Sequence, residues 1–100
     1  MVKLKKVAYA RSGDKGNSAN IALIAYRDED FSLLKERVTE ERVASYFSHL
    51  KVKAVKRYEL PNLSALNFVL EGALDGGGLQ SLRTDAQGKA LGMALLEMDI

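Results

Sequence analysis

Residues 18–26 constrain the fold more than any other part of this chain. Ala19, Ile21, Leu23 and Ala25 alternate there with Asn20, Ala22, Ile24 and Tyr26. Alternation of this kind is the mark of a strand. Both phases are largely apolar, so the strand should be covered on two sides. A first strand precedes it, over roughly Lys3 to Arg11. An acidic connection follows, Arg27-Asp28-Glu29-Asp30, and then a short helical stretch from Phe31 to about Arg37.

The second half repeats the alternation of strand and helix. Thr39 can cap a helix running to Leu50, and Glu40 and Glu41 suit the positive end of its dipole. Val43, Tyr46, Phe47 and Leu50 follow the spacing of one buried stripe. The lysine-rich run Val52 to Leu60 reads as an edge strand. A fourth strand, Ser64 to Glu71, sets Leu66, Phe68 and Leu70 on one side and Ala65, Asn67 and Val69 on the other. Pro61 marks the connection between the two, because proline cannot donate to a sheet ladder. Ala73 to Gly78 reads as a loop, and Thr84-Asp85-Ala86-Gln87 matches a capping box. The helix after it carries Leu91, Ala94, Leu95 and Met98 on one stripe. Gly88 and Gly92 cost helix propensity, which points to close packing on the sheet.

The order is strand, strand, helix, strand, strand, helix. A ferredoxin-like sandwich runs strand, helix, strand, strand, helix, strand, and moving its last strand to the front gives the order found here. The expected fold is α+β: a permuted ββαββα two-layer sandwich, with two helices on one face of a four-stranded antiparallel sheet. The sheet order would be first, second, fourth, third, which centres the apolar strands and leaves the lysine-rich ones at the edges. The face away from the helices looks too apolar to stay wet, so it is expected to mediate self-association or docking to a larger partner.

Composition excludes several classes of function. One hundred residues, 47% hydrophobic and 28% charged, make a single domain over 1–100. Cysteine is absent, which rules out disulfides, thiolate metal sites and thiol nucleophiles. The basic N-terminus lacks the apolar stretch of a signal peptide, and no run reaches membrane-spanning length. A soluble cytoplasmic protein with no membrane partner is therefore expected. The net charge of +2 is too small to argue for nucleic acid, and where base stacking needs exposed aromatics the central strands offer mainly Ala, Ile, Leu, Val and Asn, with Phe68 expected in the core. His49 sits near a helix C-terminus, where a partly positive imidazole is favoured. Asp28, Glu29 and Asp30 have no metal-ligand spacing. Neither metal nor cofactor is expected.

Candidate binding residues cluster in two loops. Arg11-Ser12-Gly13-Asp14-Lys15-Gly16-Asn17 joins the first two strands. One reading is a plain hairpin, with Asp14-Lys15-Gly16 as a type I turn closed by a left-handed glycine. The other is a binding loop in which Arg11 or Lys15 meets a carboxylate or phosphate and Asp14 orients it. Gly76, Gly77 and Gly78, with Arg83 ahead of the last helix, form a second glycine-rich segment able to hold an anion or to serve as a linker. It lacks the recognised nucleotide fingerprints. Asn20 and Asn67 fall within central strands, where amides are uncommon; each is either a satisfied amide or a polar handle in a pocket.

The segment Ala10 to Ile21 is similar to the opening of the AtuA-like ferredoxin-fold domain. So are Arg57-Tyr58-Glu59-Leu60-Pro61, Leu66-Asn67-Phe68 and Gly72 to Gly78. In that family the domain often follows a much larger domain in proteins of acyclic terpene utilisation, and it also occurs as a free-standing short chain. The resemblance implies an association with the breakdown of branched acyl or terpenoid compounds as acyl-CoA thioesters. It brings no assigned catalytic residue. Two roles are expected from it. One is an accessory module that docks onto an AtuA-type large protein and completes an anionic-ligand site there. The other is a stand-alone enzyme or binding protein for an anionic small molecule.

Overall fold

The computed structural model describes residues 2–15, 18–48, 52–72 and 87–100, apart from the side chains of 14, 15 and 87–90. Four antiparallel strands, β1 (Ala8–Lys15), β2 (Ser18–Ala25), β3 (Ala54–Leu60) and β4 (Ala65–Glu71), form one sheet in the order β1-β2-β4-β3. Helices α1 (Phe31–Arg37) and α2 (Glu40–Tyr46) lie between β2 and β3 in the chain, and α3 (Gln87–Leu96) follows β4. The architecture is an α+β sandwich of the ferredoxin-like kind, and its strand order is the one expected from the apolar and lysine-rich runs.

The alternation in β2 decides which face is closed. Ala19, Ile21, Leu23 and Ala25 are buried, while Asn20, Ala22 and Ile24 are half-buried. Register sets Ile21 opposite Phe68 and Leu23 opposite Leu66. Leu34 of α1, Val43 of α2, and Leu91 and Leu95 of α3 join these residues in one buried cluster. Side chains of this kind contribute roughly 1.5–3 kcal/mol each on full burial, so this face supplies most of the stabilisation.

Three expectations need correction. The first strand begins at Ala8, not Lys3. Leu4–Lys6 form a single 3-10 turn, and Leu4 is fully buried. Residues 2–4 pair with the C-terminus instead, through Leu4 N to Met98 O at 2.8 Å and Ile100 N to Val2 O at 2.9 Å. Lys5 meets Glu97 at 2.9 Å and Lys3 meets Asp99 at 3.6 Å. Those lysines hold the two ends of the chain together rather than guarding an edge strand. Second, β1 runs past Arg11 to Lys15, so most of the polar stretch read as a loop is strand. The pairing Lys15↔Ser18 leaves only Gly16 and Asn17 between β1 and β2, not the three-residue turn Asp14-Lys15-Gly16. Third, three helices rather than two pack on the inner face. Thr39 does cap α2, accepting from Arg42 N at 3.2 Å. That helix ends at Tyr46, because Phe47 leaves helical geometry (φ −103°, ψ 23°) while burying its ring. The segment 73–86, with its capping box, and His49 and Leu50 lie outside the described residues.

Two contacts fix the helices on the sheet. Tyr46 donates its hydroxyl to Ala94 O at 2.6 Å, joining α2 to α3. Gly92 of α3 lies so close to β1 that a Cβ there would stand 2.7 Å from Ser12 Oγ. The same approach lets Gly92 N donate to that oxygen at 3.2 Å. Close packing therefore explains Gly92. Replacing Gly92 with Val should lower unfolding stability by about 1–3 kcal/mol through overpacking. Gly92→Ala should be milder when combined with Ser12→Ala than alone. Chemical denaturation of the four proteins checks both statements.

Candidate functional site on the open sheet face

Strand alternation divides the polar stretch between two surfaces. Gly13, Arg11 and Tyr9 are opposite Asn20, Ala22 and Ile24, and share the face that no helix covers. Ala10 and Ser12 fall on the helix face, where Ser12 is occupied by Gly92. Arg11 and Ser12, adjacent in sequence, thus have unrelated roles. Gly13 would meet nothing within 4 Å if it carried a Cβ, so no close approach dictates a glycine there. Asp14 and Lys15 are the last residues of β1, paired with Ala19 and Ser18. Gly16, Asn17, Gly76, Gly77, Gly78 and Arg83 lie outside the described residues.

Both candidate segments nevertheless leave the sheet from one pole. β4 ends one residue past Leu70, which pairs with Ala19, beside Ser18. Helix α3 runs antiparallel to β1, with Gly92 against Ser12 and Met98 against Leu4. Its first turn therefore points toward the Lys15 end.

The open face holds a shallow trough of about 300 Å³, lined by Tyr9, Arg11, Ala22, Ile24, Leu60, Leu63 and Ala65. Its floor is β2 and β4. One wall is the 3-10 turn Pro61–Leu63, held by Ser64, a left-handed residue (φ 51°, ψ 44°) whose hydroxyl donates to Asp28 at 2.7 Å. The other wall is Tyr9, whose ring tilts against Tyr26 at 5.4 Å. Asn20 and Asn67 lie farther along the same face on neighbouring strands. Both are half-buried, and neither has a side-chain partner among the described residues.

Two described cations stand on this face, and they differ. Lys56 pairs with Glu71 at 3.1 Å. The hydrogen bond to that carboxylate, then its charge, hold the Lys56 ammonium above the ordinary lysine range. A raised lysine contributes its small stabilisation fully below the unfolded-chain value and loses it as pH climbs through the folded one. Arg11 has no ion-pair or hydrogen-bond partner among the described residues. The arginines of the helix face are committed: Arg57 donates to Lys35 O and Val38 O at 2.8 Å each, and Arg42 to Arg37 O and Asp99 O at 2.9 and 2.7 Å.

The sequence reading missed Tyr9, Leu60 and Leu63 as trough residues. Tyr9 had a usable signal, since it shares the phase of Arg11 two residues away. Leu60 and Leu63 had none, because their placement depends on how the Pro61 turn folds back. Among the described residues there is no group of acids and histidines able to hold a metal, and no helix long and apolar enough to cross a membrane. Arg11→Ala should leave unfolding stability within about 0.5 kcal/mol of the parent, whereas Ser12→Ala should cost up to about 1 kcal/mol by removing the hydrogen bond that Gly92 N donates to its hydroxyl. Thermal or chemical denaturation separates the neighbours.

The family model described as the AtuA ferredoxin-like domain matches residues 2–100. No curated protein and no solved structure matches the chain. The match spans the sheet, the helices and the trough alike, and the chain belongs to the AtuA ferredoxin-like domain family.

Proposed function

We propose that this domain is a binding module in an AtuA-related role. On this reading it receives the hydrocarbon part of an anionic compound, a branched acyl-CoA or terpenoid acid, in the open-face trough. An AtuA-type large protein docked on the same face completes the site. The observation that carries the reading is the position of Arg11. It is a permanent cation without a partner among the described residues, set at the rim of an otherwise apolar trough. Apolar walls suit a branched tail, and a guanidinium suits a carboxylate or phosphate in bidentate geometry. Asn20 and Asn67 supply further polar contacts along the face.

The docking half rests on size. Small-molecule sites usually enclose roughly 300–1,000 Å³ and cover most of the ligand. This trough lies at the lower limit and is open to solvent on one side, so a second surface is needed to close it. No reaction is assigned. What the trough offers is binding and orientation, and catalysis belongs with the surface that closes it.

Thermal unfolding with and without a branched medium-chain acyl-CoA tests the reading, alone and beside an AtuA-type large protein. At a ligand concentration about tenfold above Kd, mass action adds about 1.4 kcal/mol, a rise of roughly 6–11 °C for a domain of this length. The rise should appear with the large protein present, shrink strongly for Arg11→Ala and Lys15→Ala, and be small for CoA without its acyl chain. An equal rise for parent and Arg11→Ala would remove Arg11 from the site. A full rise without the large protein would make the domain a stand-alone binder.

A further inference from the structure

We propose that the ligand of the open-face trough crosses the β1 edge at Arg11 into a second hollow, which receives a neutral, amide-bearing arm of the pantetheine kind. This rests on the trough reading and narrows the ligand to an acyl thioester rather than a free acid. The hollow measures about 470 Å³ and is lined, among the described residues, by Ala10, Arg11, Ser12 and Met93. Arg11 also lines the trough. One exposed side chain thus borders both spaces, on the edge strand of the sheet. From the Ala22 floor to the outer side of β1 is about two strand spacings, roughly 10 Å. Trough and hollow together reach the middle of the size range for small-molecule sites, where the trough alone lies at its lower limit.

The fold makes little use of the residues around this crossing. Met93 is 67% exposed and takes no part in the buried cluster, whereas Leu91 and Leu95 of the same helix do. Gly13 follows Arg11 on the open face, and a Cβ there would meet nothing within 4 Å. Its missing side chain keeps the way over the edge clear beside the guanidinium. Ser12 Oγ accepts from Gly92 N at 3.2 Å, while its own O–H has no acceptor among the described residues. A hydroxyl both accepts and donates, so Ser12 retains one donor for a ligand.

The same residues set the polarity of the occupant. Asp14 shares the phase of Ala10 and Ser12 along β1, and its charge disfavours a phosphate in the hollow. Ala10 and Met93 offer apolar contact, and the unbranched thioether of Met93 adapts to a flexible chain. Ser12 offers one hydrogen bond to a carbonyl. An uncharged chain bearing an amide satisfies all three conditions. Where tail and arm join, the thioester carbonyl meets Arg11, whose guanidinium donates a charge-assisted hydrogen bond. A free acid ends at Arg11 and gains nothing from the hollow.

Isothermal titration calorimetry of the full chain, with an AtuA-type large protein present, tests this with two probes, isovalerate and its pantetheine thioester. The thioester should bind more than about tenfold tighter than the acid, because it covers both spaces. Met93→Trp fills the hollow from an exposed position, so it should cut that preference by about tenfold while the melting temperature holds. Gly13→Val, which obstructs the crossing, should cut it in the same way. A thioester no tighter than the acid overturns the proposal and leaves the trough reading standing. So does a preference that neither variant changes. Binding of neither probe overturns the trough reading and this proposal with it.

Discussion

The whole arrangement depends on where β1 and β2 join. Pairing Lys15 with Ser18 fixes the parity of eight residues on each strand. Side chains alternate with a period of two, so a slip of one residue would exchange the faces entirely. Ser12 would leave α3, Arg11 would be forced toward the core, and Tyr9 would leave the trough. Gly92 against Ser12 locks the correct choice, because only the native parity presents a small hydroxyl where the helix comes closest. The apolar alternation of β2 acts in the same direction, since Ile21 and Leu23 can meet Phe68 and Leu66 in only one phase.

That parity separates the work of the two faces. The helix face carries the buried cluster, and its long cations hold the fold. Arg57 holds the end of α1, Arg42 joins α1 to the C-terminus, and Lys5 secures the N-terminal turn. The open face carries tyrosines, two amides and few ion pairs. Tyrosine suits such a surface, being apolar in body and polar at its tip. Tyr9, Tyr26 and Tyr58 are 39%, 60% and 51% exposed. A face with that composition persists in water while still favouring a covering partner.

Much of the fold was legible because its signals are local. Thr39 and its glutamates mark a helix start, and the β2 and β4 patterns give both the strands and their central places. Gly92 was legible as a packing glycine through its propensity cost alone. The beginning of β1 was not. Lys3 to Lys6 looks like strand, but burial of Leu4 and pairing with residues 98–100 outweigh local preference. The site was half legible. Arg11 stood out as a charge beside apolar runs, yet reading the stretch as a loop hid the alternation that separates it from Ser12. The trough depends on the Pro61 turn folding back over β2, a long-range event with no mark in the sequence.

On the proposed reading, the trough would couple its two halves. A guanidinium in open water gains little from a single carboxylate, because solvent screens the pair. Seating an apolar tail against Tyr9, Ile24 and Leu63 removes water from beside Arg11 and lowers the local dielectric. The same charge pair then strengthens. The tail in turn gains roughly 25 cal/mol for each Å² of apolar surface that leaves water. An open trough collects only part of that gain. A surface closing over it increases both contributions at once, so ligand and covering partner should favour each other's binding. By linkage, each must raise the other's affinity by the same factor. A half-open trough whose one arginine has no partner among the described residues would thus suit the proposed shared site, where neither the tail nor the charge alone binds strongly.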